Sequence, residues 1–375
     1  MTAVRALLTV AFVLAFAAPA SAWIPNDPGI AGTTPGGWQN DQWNFLPGTG
    51  VDAPRAWDNL IAAGRPGALG VKIAVLDSGV SYDRSPDLSS RHFRRGRDFC
   101  ARPGSGEFAC VGEDNQPDDA YGHGTHVAST IAEATNNAKG LTGLAYGATV
   151  IPVKVLNRDG DGDERSIAKG LRYAADEGAQ VINLSFEFGS SITSASEIPV
   201  IAAAVRYARR KGALIVAASG NTAFDRVSYP AALPGVVSVG AVTEHGCLAE
   251  YSNTGKGLDL VAPGGGKDAA LIGQPACRPT APRGRSILQL TFTRKDRRFR
   301  YPKSYVGTSM AAPHVTATAA LIIASGVLGP RPTAKAIEHR LKTTARDLGA
   351  PGPDSQYGFG MVDAGAATAK SGVAP

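Results

Sequence analysis

The chain has 375 residues, of which 43% are hydrophobic and 19% charged, with a formal charge of +6. That composition describes a globular chain with a substantial core and excludes an intrinsically disordered one. So modest a positive balance gives no reason to expect a nucleic-acid partner.

Taken in chain order, residues 1–22, MTAVRALLTVAFVLAFAAPASA, read as a signal peptide. Arg5 supplies the positive start, Ala6 to Ala18 the apolar run, and Ala20-Ser21-Ala22 a small-residue cleavage site. The run falls short of the roughly 20 apolar residues that span a bilayer. The protein is therefore expected to be secreted and extracellular, with no membrane attachment after signal removal. Residues 23–60 begin Pro/Gly/Trp-rich with little periodicity and are expected to wrap the surface of a single main domain, 61–375. No internal repeat or low-complexity block is present.

From Val71 short β-branched runs alternate with helical patterns. Val71 to Leu76, Val150 to Val155, Gln180 to Leu184, Ala213 to Ala218 and Val236 to Val239 read as buried strands. Glu164 to Gly178 and Ile198 to Lys211 read as helices, the second closed by a basic last turn and Gly212. Such alternation predicts an α/β fold, a mainly parallel sheet covered on both faces in three αβα layers. Ligands of such sheets sit at the carboxyl ends of the strands.

Cys100, Cys110, Cys247 and Cys277 are too scattered for a CxxC metal or redox site and allow three disulfide connectivities. Cys100–Cys110 and Cys247–Cys277 are favoured, because each pair brackets one Gly/Pro-rich loop. Ile287 to Thr293 alternates ahead of the basic run Thr293 to Arg300, which predicts a hairpin with a charged, solvated tip. The acidic run Asp159 to Glu164 lacks full EF-hand spacing and reads as a turn with a helix start.

Chemistry-bearing residues fall at the strand ends. Asp77 follows the first strand in VLDSGV, Asn221 follows another in AASGN, and Ser309 opens a long apolar helical pattern in GTSMAAPHV. Pro313 is tolerable there if it lies in the first turn or so. YGHGTHVAST carries His123 and His126; a zinc pair would want the glutamate of HExxH and a third ligand, and neither is offered. His123 is therefore read as a base, and His126 as helix packing. Taken singly, Asp77, Asn221 and Ser309 could each be a cap or turn residue. Taken together they supply what nucleophilic acyl transfer needs: a serine, a base to take its proton, and a carboxylate to orient that base.

VLDSGV, HGTHVA, AASGN and GTSMAAPHV, in that order, resemble the four sequence blocks of the subtilisin-like serine peptidases, the subtilases. YSNTGKGLDLVAPG and YGFGMVDAGAA resemble family sequence too, so the likeness runs from about Asn26 to Ala367. It implies a secreted serine endopeptidase acting on proteins or peptides, expected as a monomer. In it Asp77 is the orienting carboxylate, His123 the general base and acid, Ser309 the nucleophile, and Asn221 an oxyanion donor beside the Ser309 N–H. No cofactor is expected for catalysis. A narrow processing protease is the nearest alternative, and a peptide-binding relative without activity a further one.

The resemblance also implies that Asn183, Leu184, Ser185 and Phe186 form one edge of the substrate cleft and Ala217, Ala218, Ser219 and Gly220 the other, with substrate pairing as an added strand. Ser228, before Tyr229-Pro230, matches the floor of the primary pocket, where a small residue leaves room for large apolar side chains. Glu187 stands where many relatives carry glycine. It reads either as a solvated side chain or as a device selecting basic substrate residues. His314 is expected to pack by the nucleophile helix, and His92, His245 and His339 to lie at the surface.

PNDP, QWNF and DAPRAW are similar to the mature start of thermitase-like members, so residues after the signal are expected to stay on the active enzyme. Between signal and domain there is room for no folded prodomain. That branch holds a structural calcium (Ca2+). Asp27, Asp87 and Asn137 match its side-chain ligands, with carbonyls expected from Ala134, Lys139 and Leu141.

Overall fold

The first strand, β1 (Lys72–Asp77), is buried at every residue but the first. Ile73 and Val75 join one apolar cluster, and Ala74 and Leu76 a second on the opposite face, as the two-residue period of a strand requires. That double burial turns the strand into a continuous apolar run rather than an alternating one. The structure is a computed structural model and describes residues 22–103, 110–271, 274, 276–278 and 282–370. All but the last residue of the expected signal peptide lies outside the described residues.

Six further strands extend β1 into a seven-stranded sheet. After β2 (Arg97–Asp98) comes a separate short pair, β3 (Arg102–Pro103) and β4 (Cys110–Val111). The main sheet resumes with β5 (Thr149–Lys154), β6 (Val181–Leu184), β7 (Leu214–Ala218), β8 (Val236–Val242) and β9 (Leu260–Pro263). The order is β2-β5-β1-β6-β7-β8-β9, parallel throughout. The register Leu76↔Leu184 and Leu184↔Ala217 brings the ends of three strands level.

Helices cover both faces, as the three-layer expectation has it. On one side α4 (Glu164–Asp176) and α5 (Pro199–Arg210) pack their apolar stripes on the sheet. Asp163 caps α4 by accepting from the Ser166 N–H at 2.9 Å, so the acidic run is a turn and helix start. On the other side lie α2 (Ala53–Ala62), α3 (His123–Ala132), α6 (Thr308–Ser325), α7 (Ala334–Thr343) and α8 (Ala364–Thr368). Every residue of α6 except Ile323 is buried, which is why its sequence is apolar all round rather than striped. Among the described residues no helix is long and apolar enough to cross a membrane.

Three details differ from the sequence reading. Pro313 is the sixth residue of α6 and so lies in the second turn, not the first. The 23–60 segment does more than wrap a surface. It forms α1 (Trp38–Asp41) and α2, and buries Trp38, Trp43, Phe45 and Trp57 in the core cluster. Large rings have too much apolar area to leave in water, and Trp38 meets Trp57 edge to face at 5.4 Å. The basic hairpin forms, with β10 (Thr291–Phe292) antiparallel to β11 (Phe299–Arg300), but its tip is not simply solvated. Arg294 bonds Asp159 at 2.7 Å, and Arg297 bonds Asp118 at 3.0 Å.

Both disulfides take the favoured pairing, Cys100–Cys110 and Cys247–Cys277, with Cα atoms 4.5 and 5.5 Å apart.

Candidate active site

Asp77 ends β1 and is fully buried. Its Oδ1 accepts from the Ser78 N–H and from His123 Nδ1, each at 2.8 Å. His123 opens α3 directly after Gly122, whose φ of 99° suits a residue without a Cβ. There a Cβ would also meet the Phe292 carbonyl at 2.4 Å. The imidazole is 17% exposed. Burial works against its protonation, but the Asp77 charge and hydrogen bond, with the Asp119 charge behind them, outweigh burial and raise its pKa above the ordinary value.

Asp119 is a residue that the sequence reading missed. Fully buried, it accepts from the N–H groups of Tyr121, Gly122 and Thr125 and from the hydroxyls of Ser78 and Thr125, at 2.7–2.9 Å. Ser78 Oγ in turn accepts from the Gly124 N–H at 3.0 Å. The carboxylate thus folds the whole turn that presents His123 to Asp77. Its only signal in the sequence is an acid four residues ahead of the histidine.

His126 behaves as packing. Its Nε2 bonds the Ile287 carbonyl at 3.0 Å, its ring stacks on Tyr305 at 4.2 Å, and burial pushes its pKa down to about 3. His314 is likewise held neutral, its pKa lowered to about 4 by burial. Its Nδ1–H donates to the Met310 carbonyl and its Nε2 accepts from the Asn44 amide, both at 2.9 Å. That bond ties the N-terminal segment to α6.

Ser309 is the second residue of α6 and is 9% exposed. It and His123 line one cavity of about 310 Å³, with Tyr121, Arg294, Tyr305 and Met310 around them. The exposed Asn221 has its Oδ1 occupied by the Thr308 N–H at 2.8 Å and the Thr308 hydroxyl at 3.0 Å. The amide orientation is thereby set, and Nδ2 is turned away from Thr308. Its nearest partner is Glu187 Oε1 at 3.5 Å.

Of the expected cleft residues, Asn183, Leu184, Ser185, Ala217, Ala218, Ser219, Gly220 and Ser228 are buried and Phe186 and Glu187 are half-buried, and Leu184 packs in the core beside α4 and α5. Ser185, Phe186, Glu187, Gly220 and Ser228 gather where β6 and β7 part. A hollow of about 440 Å³ adjoins them, lined by Leu156, Phe186, Phe188 and Ile192 together with Asp161, Glu164 and Glu187.

Three of the expected calcium ligands, Asp27, Asp87 and Asn137, lie together. Asp27 accepts from the N–H groups of Asn136 and Asn137 at 2.7 and 2.9 Å, and Asn137 Nδ2 donates to Asp87 Oδ1 at 2.7 Å. Ala134 donates its N–H to the Asp87 carbonyl at 2.9 Å, and Lys139 donates its own to Asn137 Oδ1 at 3.0 Å. Asp87 Oδ2 is buried without a hydrogen-bond partner, and burial raises its pKa to about 7. Two carboxylates, one with an orphaned buried oxygen, fit a hard cation, although Asn137 here turns its Nδ2 rather than its Oδ1 toward Asp87. Among the described residues no cluster of three or more His, Cys, Asp or Glu is arranged to hold a metal, so the site's charge would come from two carboxylates.

A parallel αβα sheet with Asp77 at a strand end bonded to His123, and Ser309 on the same cavity wall as His123, is an arrangement compatible with a hydrolase of the serine-nucleophile class. Comparison with known proteins gives the family. The Subtilase family model matches residues 68–360. A thermophilic serine proteinase from a Bacillus strain is 35% identical over 306 residues, 82% of this chain and 61% of its own length. Subtilisin BL from Lederbergia lenta is 38% identical over 299 residues, covering 80% of this chain and 91% of that protein. A solved protease structure from Pseudoalteromonas arctica superposes with a TM-score of 0.73 at 32% identity, over 92% of this chain and 99% of that one. The chain belongs to the subtilase family, and by that membership it is a subtilisin-like serine peptidase.

Proposed function

We propose that the protein is a secreted endopeptidase that hydrolyses peptide bonds through an acyl-enzyme on Ser309. The observation that carries this reading is the 2.8 Å hydrogen bond from His123 Nδ1 to the buried Asp77, with Ser309 on the same cavity wall as His123. Asp77 fixes the tautomer that leaves Nε2 free to take the Ser309 hydroxyl proton as the hydroxyl oxygen attacks the substrate carbonyl. The imidazolium so formed is stabilised by the same carboxylate, then returns its proton to the departing amine. Water repeats the sequence to release the acid product. Asn221 Nδ2 and the Ser309 N–H stabilise the oxyanion; the loss of such an amide in subtilisin costs about 10²–10³ in kcat.

Residues 61–375 form the catalytic unit, and 23–60 remain on it because their tryptophans are part of its core. A structural calcium held by Asp27, Asp87 and Asn137 would neutralise buried carboxylates and pin the N-terminal segment to the 134–141 loop.

Casein hydrolysis by the purified protein and by Ser309→Ala tests the reading. Activity is expected in the first, abolished by a serine-directed covalent inhibitor. In the second a fall on the order of 10⁶ in kcat is expected, as for the same removal in subtilisin. Equal activity in the two proteins would exclude Ser309 as nucleophile.

A further inference from the structure

Where β6 and β7 part, the chain builds a slot whose walls and floor are hydrogen-bonded to each other. Phe188 on one wall donates its N–H to the Tyr229 carbonyl at 2.7 Å, and the Ser228 N–H donates to Ser219 on the other wall at 2.8 Å. Ser228 Oγ lies at the bottom, accepting from Asn253 Nδ2 at 2.9 Å. Glu187 reaches across this slot. Its Oε1 accepts from the Asn221 N–H on the opposite wall at 2.9 Å.

That anchor leaves Oε2 facing the interior. A Cβ added to Gly220 would lie 2.4 Å from Glu187 Oε2 and 2.7 Å from Ser228 Oγ, so both oxygens converge on the same side of the Gly220 backbone. Gly220 has a φ of 114°, and the Asn253 amide, 2.2 Å from the same added Cβ, closes the floor beside Ser228. The carboxylate is half-buried, yet among the described residues no lysine, arginine or histidine is paired with it. The positively charged neighbour on this rim, Arg226, is spent elsewhere, on the Ser190 carbonyl and the Phe224 ring.

We infer that Glu187 is the specificity carboxylate of the slot beside Ser309 and that the enzyme prefers substrates with lysine or arginine on the acyl side of the cleaved bond. The inference rests on the endopeptidase reading above and narrows its substrate class. A half-buried carboxylate whose Oε1 alone is engaged, by the Asn221 N–H and at 3.5 Å by its side-chain amide, retains acceptor capacity on Oε2 for a charge-assisted bond to an ammonium or guanidinium group. Bound substrate excludes water from the slot and so strengthens that attraction. An apolar side chain placed there instead would strip water from the carboxylate and give nothing in return.

The test compares peptide substrates that differ only in the residue before the cleaved bond: lysine, arginine, leucine or phenylalanine. Wild type and Glu187→Gln are first titrated with a serine-directed covalent label, and each protein's melting temperature is recorded. Wild type is expected to favour lysine and arginine over leucine and phenylalanine at least about 10-fold in kcat/KM. Glu187→Gln is expected to lose about 10- to 100-fold on the basic substrates alone, the span of one hydrogen bond to a charged group. If wild type is labelled and cleaves casein but favours leucine or phenylalanine, the inference fails while the endopeptidase reading stands. The same holds if the glutamine variant keeps the wild-type ratio. If wild type is neither labelled nor active, the endopeptidase reading itself fails.

Discussion

Ser185 Oγ donates a 2.9 Å hydrogen bond to the backbone carbonyl of Ser309. In an unbroken helix that carbonyl would accept from the N–H of residue 313. Residue 313 is proline and has none to give. The side chain from the β6 end thus replaces the donor that the helix lacks at Ser309. Behind it Asn183 Nδ2 donates to Ser185 Oγ, and Thr316 Oγ1 donates to Asn183 Oδ1, each at 2.8 Å. A buried polar chain therefore runs from the middle of α6 to β6 and back to Ser309.

Ser185→Ala should leave the Ser309 carbonyl without its partner and destabilise the protein by roughly 1–3 kcal/mol. Loss of position at the nucleophile should lower kcat while KM changes little. Pro313→Ala restores the helical N–H, so the double mutant should recover much of the loss, with a coupling energy readable from denaturant melts of the four proteins. Strict additivity would show that Pro313 is not what makes Ser185 necessary.

This relationship marks the limit of what the sequence made legible. The strands were readable because burial on two faces leaves uninterrupted apolar runs, and Asp77, Asn221, His123 and Ser309 stood out because each follows or opens such a run. Ser185 was visible only as a cleft residue, since its partner is a main-chain oxygen 124 positions away. Asp119 was hidden for the same reason: most of its bonds go to N–H groups of its own turn, and any turn acid looks alike in one dimension. The strand β9 escaped because it is four residues long and ends in proline. The ion pairs of the basic hairpin join residues 135 and 179 positions apart, beyond any local pattern.

In the proposed mechanism His123 must be neutral to accept the Ser309 proton, and Asp77 raises its pKa against the effect of burial. Activity should therefore fall as pH drops through that raised value. Asp77→Asn removes the charge that favours the imidazolium, so the acid limb of kcat/KM should move to lower pH. At neutral pH the same variant should lose about 10⁴ in kcat, the cost of the corresponding change in trypsin-type enzymes, where the wrong tautomer results. An acid limb left in place would mean that another group controls it.

His126 and His314 act in the opposite sense, on stability. Burial lowers their folded-state pKa values to about 3 and about 4, against an ordinary value of 6.5. Between roughly pH 6.5 and pH 4 the unfolded chain takes up protons that the folded chain refuses, so stability should fall as pH falls through that window. Above it these two groups contribute no pH dependence. His314→Gln removes one of them, and its melting temperature should decline less steeply from pH 6.5 to 4 than that of wild type. An unchanged slope would remove His314 as a contributor.

The Asp27–Asp87–Asn137 cluster gives a last prediction, and its sign depends on the metal. Asp87 Oδ2 is buried without a partner, and burial pushes its pKa up to about 7, so the ionised group is costly unless a cation sits on it. Calcium at 100 times its Kd should add about 2.7 kcal/mol by binding only the folded state. Chelation with EGTA should accordingly lower the wild-type melting temperature. Asp87→Asn removes a ligand charge but also removes the buried anion. It should lose the response to calcium while melting no lower than chelated wild type. A wild-type melting temperature indifferent to EGTA would eliminate the structural calcium. A calcium response retained by Asp87→Asn would move the site elsewhere.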